Sequence, residues 1–127
     1  MYLNSWQLKY LWNKFKTIII FFDYIYSNMD IVISKSDNKH KKFKAIIDGK
    51  KTVHFGSSAH SDFRQHQDDQ RKQSYIARHK KNEDWTKYGV ETAGFMNKKL
   101  LWNKKTLKDS VDDLNKKYKD INFKYKK

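Results

Sequence analysis

The sequence predicts an α+β fold: a short antiparallel β-meander or hairpin followed by about three helices, with an N-terminal amphipathic helical arm ahead of them. Three features point there. Residues 43–47 and 50–55 are strand-like runs joined by Asp48-Gly49, the pairing that a tight hairpin turn favours because both central residues need positive φ. Leu107, Val111, Leu114 and Tyr118 make one apolar stripe at helical period. Trp6, Tyr10, Leu11 and Phe15 recur at helical spacing before the first strand-like run, Ile31-Val32-Ile33.

In chain order, residues 1–28 form the aromatic arm. Its apolar run Thr17–Phe22 is too short to span a bilayer and is interrupted by Asp23. Three readings stay open for it: a partner-binding helix, a membrane-surface anchor giving peripheral membrane contact, or an extension upstream of a natural start at Met29. Residues 30–35 read as a strand and 37–42 as a charged turn. A two-residue turn at Asp48-Gly49 pairs Ile47 with Lys50, which sets Phe43 opposite His54 and Ala45 opposite Thr52. Residues 56–68 read as a polar loop. Asp68 or Asp69 caps a helix running to near Lys81, with Tyr75, Ile76 and His79 inward. Residues 82–90 read as a loop anchored by Trp85, a ring better suited to the core than to recognition. Thr92 caps a helix through Leu101 that turns Phe95, Leu100 and Leu101 inward. Thr106 and Asp109 open the last helix with a capping-box-like pair. The organisation is then an arm (1–28), a single domain (29–119) and a basic-aromatic tail (120–127), without repeats or linkers.

A chain of 127 residues with 16% aromatics can close one modest core. Its net charge of +14 exceeds what solubility asks for and points to acidic partners, either polyanions or acidic protein surfaces. Residues 98–127 carry eleven Lys against four Asp, half of the whole excess. Lys meets phosphate or carboxylate as a point charge, so nucleic acid held there is held without regard to sequence. The chain has no Cys, which excludes disulfides, thiolate metal sites and Cys nucleophiles.

The candidate chemistry is thin. His54, His60, His66 and His79 lie in the sequence near Asp62, Asp68, Asp69, Glu83 and Asp84, the residue types of a metal nuclease, but at no recognised ligand spacing. The four Gly sit in no phosphate-binding loop, and Ser57, Ser58, Ser61 and Ser74 sit in no nucleophile elbow. The expectation is a protein that is not an enzyme, with no cofactor and no small-molecule substrate. Its candidate binding face is Lys98, Lys99, Lys104, Lys105, Lys108, Lys116, Lys117 and Lys119, with Tyr118, Phe123 and Tyr125 interleaved as rings able to stack on bases. Asp109, Asp112, Asp113 and Asp120 dilute that face and fit ordinary helix pairing equally well. Trp6, Tyr10 and Phe15 are the candidate docking residues of the arm.

Several strings taken together resemble a known group. They are His54-Phe55-Gly56, Ser61-Asp62-Phe63, His66, Arg71-Lys72, Tyr75-Ile76 with Arg78-His79, Asn82-Glu83-Asp84-Trp85, Thr92-Ala93-Gly94-Phe95, Leu100-Leu101-Trp102-Asn103-Lys104 and Thr106-Leu107. Over residues 30–115 the chain resembles small basic proteins encoded by large nucleocytoplasmic DNA viruses of mimivirus and phycodnavirus type. The resemblance implies a viral origin and little about activity, so no functional residue is carried over from it; the expected location is the virion or the host cytoplasm (the viral factory). The chain departs from the group at Lys105, where related sequences tend to have Pro, and in residues 1–28, which precede the usual start. The function expected first is a minor virion or capsid-associated structural protein that docks on other viral structural proteins through basic and aromatic surfaces. The second is a sequence-independent nucleic-acid binder in genome packaging, and a metal-dependent nuclease is the remote third.

Overall fold

The structure is a computed structural model that describes residues 4–127, with the side chains of all of these except residues 19–27. It is an α+β fold, a mixed four-stranded sheet with helices packed on one face. The strands are β1 (Met29–Lys35), β2 (Lys41–Ile47), β3 (Lys51–Ser57) and β4 (Ile121–Tyr125), in spatial order β3-β2-β1-β4. The first three form the antiparallel meander, and β4 returns to lie parallel to β1. Helix α1 (Ser5–Ser27) precedes the sheet. Between β3 and β4 run α2 (Phe63–His66), α3 (Asp69–His79), a 3₁₀ turn (Lys87–Gly89), α4 (Ala93–Met96), a π-helical turn (Asn97–Leu101) and α5 (Leu107–Lys117).

Strand periodicity places the core on one sheet face. Ile31 and Ile33, Phe43, Ala45 and Ile47, Phe55, Ile121 and Phe123 all bury there. The helices supply Phe95, Met96, Leu100 and Leu101, then Leu107, Val111 and Leu114, as the α5 stripe predicts. The Thr92 and Thr106 hydroxyls accept from the amides of Phe95 and Asp109, so both expected caps form. Past Met96 the winding widens to π, closed by the Trp102 amide on the Asn97 carbonyl at 3.1 Å, and both Leu100 and Leu101 reach the core.

Asparagine side chains cover both sheet edges. On β4, the Asn115 amide group accepts from Phe123 N at 2.8 Å and donates to Phe123 O at 2.9 Å. On β3, Asn97 Oδ1 accepts from Gly56 N at 2.8 Å. Each satisfies ladder groups that would otherwise stay open to another chain.

Four expectations are corrected. The hairpin turn has positive φ at Asp48 (51°) and Gly49 (68°), as foreseen, but Ile47 pairs with Lys51, leaving Lys50 as an extra residue. The register therefore sets Phe43 opposite Phe55 and Ala45 opposite Val53. A slip of one residue exchanges sheet faces, and burying Phe55 and packing the partly buried Val53 on the core outweighs the tighter turn that would have brought His54 and Thr52 inward. Residues 120–127 are not a loose tail. Ile121 and Phe123 are buried, and the domain continues through β4. Finally, the polar loop 56–68 contains the one-turn helix α2, and Trp85 sits half-buried outside the core.

Candidate docking surfaces

The arm folds as one helix of 23 residues. It begins with a reciprocal cap, in which Asn4 Oδ1 accepts from Gln7 N at 2.8 Å and Gln7 Oε1 accepts from Asn4 N at 3.0 Å. Among its described side chains the large apolar ones stay exposed: Trp6 is 73% exposed, Trp12 66% and Phe15 61%. At about 100° per residue, Leu8, Leu11, Trp12, Phe15 and Ile18 share one face. Trp6 and Tyr10 form a separate ridge across the helix, their rings stacked at 6.1 Å. The three expected docking residues are thus split, with Phe15 on the broad face and Trp6 and Tyr10 on the narrow one. Among the described residues, no helix is long and apolar enough to cross a membrane.

The lysine face comes together only in part. Lys98 and Lys99 lie half-buried on the π turn. Burial, reinforced by Lys99, Lys72 and Lys117, pushes the Lys98 ammonium down to about 8. Its charge lies 5.6 Å from the Trp85 ring centre, and it makes no ion pair among the described residues. Lys99 is also lowered, by burial first and then by Lys117. Lys117 pairs with Asp113 at 3.2 Å, and Asn103 donates to the same carboxylate oxygen at 2.9 Å. Lys72, from a distant part of the chain, joins this cluster by donating to Asn103 O at 2.6 Å. Lys104, Lys105, Lys108, Lys116 and Lys119 are exposed, but Asp113 and the Lys87–Asp120 pair break the face into patches. Tyr125 packs edge-on to Phe43, and Tyr118 leans on Phe95 and Phe123, so these rings serve the core and offer no row for bases.

A groove missed by the sequence reading opens beside this cluster. On α3, Arg71, Ser74, Tyr75, Arg78 and His79 follow the i, i+3, i+4, i+7, i+8 rhythm of a single helix face. That face looks across a space of about 590 Å³ at Gly56, Ser57, His60 and Ser61 on one side and Asn97, Leu101 and Trp102 on the other. No carboxylate lines it. Gly56 is required at its base, with φ +79° and a notional Cβ 2.8 Å from Leu101 Cδ1.

Lys42, which also lines the groove, belongs to a buried ionic knot. Asp62 is 2% exposed, caps α2, and accepts from Arg64 through Nε (3.0 Å) and Nη2 (2.9 Å) and from Lys42 Nζ (2.9 Å). Burial alone would raise its carboxyl pKa, but the hydrogen bonds and charges of Arg64 and Lys42 outweigh that and hold it below the ordinary range.

The histidines do not converge. His54 shares a hydrogen bond with Ser36, His60 with Ser57 and His79 with Glu83, while His66 Nδ1 accepts from Asp68 N. Among the described residues there is no group of three or more His, Asp or Glu placed to hold an ion. The geometry that a metal nuclease needs is therefore not assembled by these side chains.

The model of a family of unknown function, DUF5754, matches residues 31–79, the segment from β1 to the end of α3 that carries the α3 face of the groove and its Gly56–Ser61 side. No curated protein and no solved structure matches the chain.

Proposed function

We propose that this protein is a non-enzymatic docking component of a large DNA virus, a minor virion or capsid-associated protein that bridges two partners. One partner is gripped by the apolar arm and the other, acidic, by the basic domain. The observation that carries this reading is α1: a capped helix holding Trp12 and Phe15 on a face that the domain leaves open. Large exposed apolar faces on a charged protein mark an interaction site. The patchiness of the lysines fits docking on an acidic protein surface better than tracking a phosphate backbone. A second reading, sequence-independent nucleic-acid binding, is favoured by the Lys72, Lys98, Lys99 and Lys104 cluster, in which cations crowd one another.

The test is quantitative mass spectrometry of purified particles from the virus encoding this chain. The protein is expected in the particles in fixed ratio to capsid protein, and a Leu11→Ser/Trp12→Ser/Phe15→Ser variant is expected to be depleted while unfolding at the same temperature as wild type. Absence from particles, or release of the protein on nuclease digestion of opened particles, contradicts the docking reading.

A further inference from the structure

The groove on α3 has the chemistry of an anion site. Arg71 donates to Ser61 Oγ at 3.3 Å, and neither Arg71 nor Arg78 has an ion-pair partner among the described residues. Arg71 and Arg78, from one helix face, therefore line a carboxylate-free space together with Ser57, Ser61 and Ser74. His79 is held in place from behind. Its Nδ1 lies 3.0 Å from Glu83 Oε1, and Glu83 Oε2 accepts from Trp85 Nε1 at 2.9 Å. A carboxylate only accepts, so the His79 proton sits on Nδ1 and Nε2 is the ring nitrogen left to meet a ligand. Tyr75, a lining residue that is 6% exposed, buries a hydroxyl that has no hydrogen-bond partner among the described residues.

We propose that this groove binds a phosphorylated segment of a partner protein, with the phosphoryl group between Arg71 and Arg78 and its oxygens also taken up by the surrounding hydroxyls. Arginine forks match phosphate in a way that a lysine point charge does not. A peptide fits better than nucleic acid because the groove offers little for bases. Tyr75 is stacked between Trp102 at 4.3 Å and His79 at 4.2 Å, and His66 leans on Trp102 at 5.2 Å. Base binding relies on open ring faces, and the Tyr75 ring is already stacked on by Trp102 and His79. Capture of acidic phosphorylated motifs by paired arginines is a recurrent mode of peptide recognition.

This inference deepens the docking reading by naming what the basic domain grips, and the two fail separately, since particle incorporation tests the arm and peptide binding tests the groove. The experiment uses the full chain and four probes: an Asp/Glu-flanked phosphoserine peptide, its unphosphorylated form, inorganic phosphate and an oligothymidylate. Calorimetry gives affinities, and amide NMR shifts at Gly56 and Ser61 locate the site. The phosphopeptide is expected to bind on the order of tenfold tighter than the unphosphorylated peptide, with inorganic phosphate shifting the same amides. Arg71→Ala and Arg78→Ala are each expected to weaken it on the order of tenfold, Arg71→Lys by less, and the outlying pair Lys108→Ala/Lys116→Ala hardly at all. Equal affinity with and without the phosphoryl group, arginine variants that bind like the lysine control, or an oligothymidylate that displaces the peptide from the groove would each overturn the proposal.

Discussion

Asp62 gives the sharpest stability prediction. Replacing it with Ala removes an N-cap, worth about 1 kcal/mol, and the shared anion of Lys42 and Arg64. Taking one partner from a fully buried ion pair costs about 3–5 kcal/mol. Here the cations retain 15% and 19% side-chain exposure, and Lys42 keeps His60 O at 2.7 Å and Gln65 Oε1 at 2.8 Å, which lowers the cost. That second contribution is then about 2 kcal/mol, giving about 3 kcal/mol for Asp62→Ala and about 2 for Asp62→Asn, which keeps the cap acceptor. Chemical denaturation followed by far-UV circular dichroism at a series of pH values measures both. The pKa of Asp62 is depressed in the fold. Its stabilisation is therefore present above the unfolded value of about 3.9 and is lost as the pH falls through the folded value. The gap between wild type and variant should be full at pH 7 and shrink only below about pH 4. A loss under about 1 kcal/mol at neutral pH, or a gap that does not close in acid, would refute the buried-knot account.

Other sites give further tests. Gly56→Ala should cost about 2–4 kcal/mol, from the left-handed backbone and the contact with Leu101, whereas Gly49→Ala, with nothing near its notional Cβ, should cost about 1; equal losses in thermal melts would argue against the tight groove base. Phe123→Ala should cost about 3–5 kcal/mol, and truncation after Asp120 should abolish cooperative unfolding; a neutral truncation would restore the loose-tail description. Lys98 is held neutral more readily in the fold than out of it, so its protonation opposes folding below about pH 8. Lys98→Met should therefore raise the melting temperature at pH 7, with the gain fading as the pH rises from about 8 toward the ordinary lysine value; a gain independent of pH would point to packing alone.

Much of the fold was legible because local signals agreed with tertiary needs. The positive-φ turn at Asp48-Gly49, the Thr92 and Thr106 caps and the Leu107–Leu114 stripe all appear where the residues place them. The failures have a common cause, competition from burial far along the chain. Lys50 is spare in the hairpin because Phe55 must face the same layer as Phe43, and no local rule carries that demand. Strand β4 did carry a period-2 signal, Ile121, Phe123 and Tyr125, but surrounding lysines and the need for a distant partner, β1, disguised it as a tail. The groove was written on α3 as Arg71, Ser74, Tyr75, Arg78 and His79, yet this face becomes a site only when the β3–α2 loop and the π turn stand opposite. The lysine face failed in the reverse sense: abundance in sequence did not become continuity in space, because Asp113 and Asp120 interrupt it.

The central claim is that the basic surface serves protein docking and not a phosphate backbone. It is tested most directly by titrating the full-length protein against random-sequence duplex and single-stranded DNA over a range of salt. Binding no tighter than ~0.1 mM is expected near physiological salt, the weak end of non-specific association. Micromolar or tighter binding, with log affinity falling steeply against log salt, would mean that many lysines displace counterions together, and would contradict it.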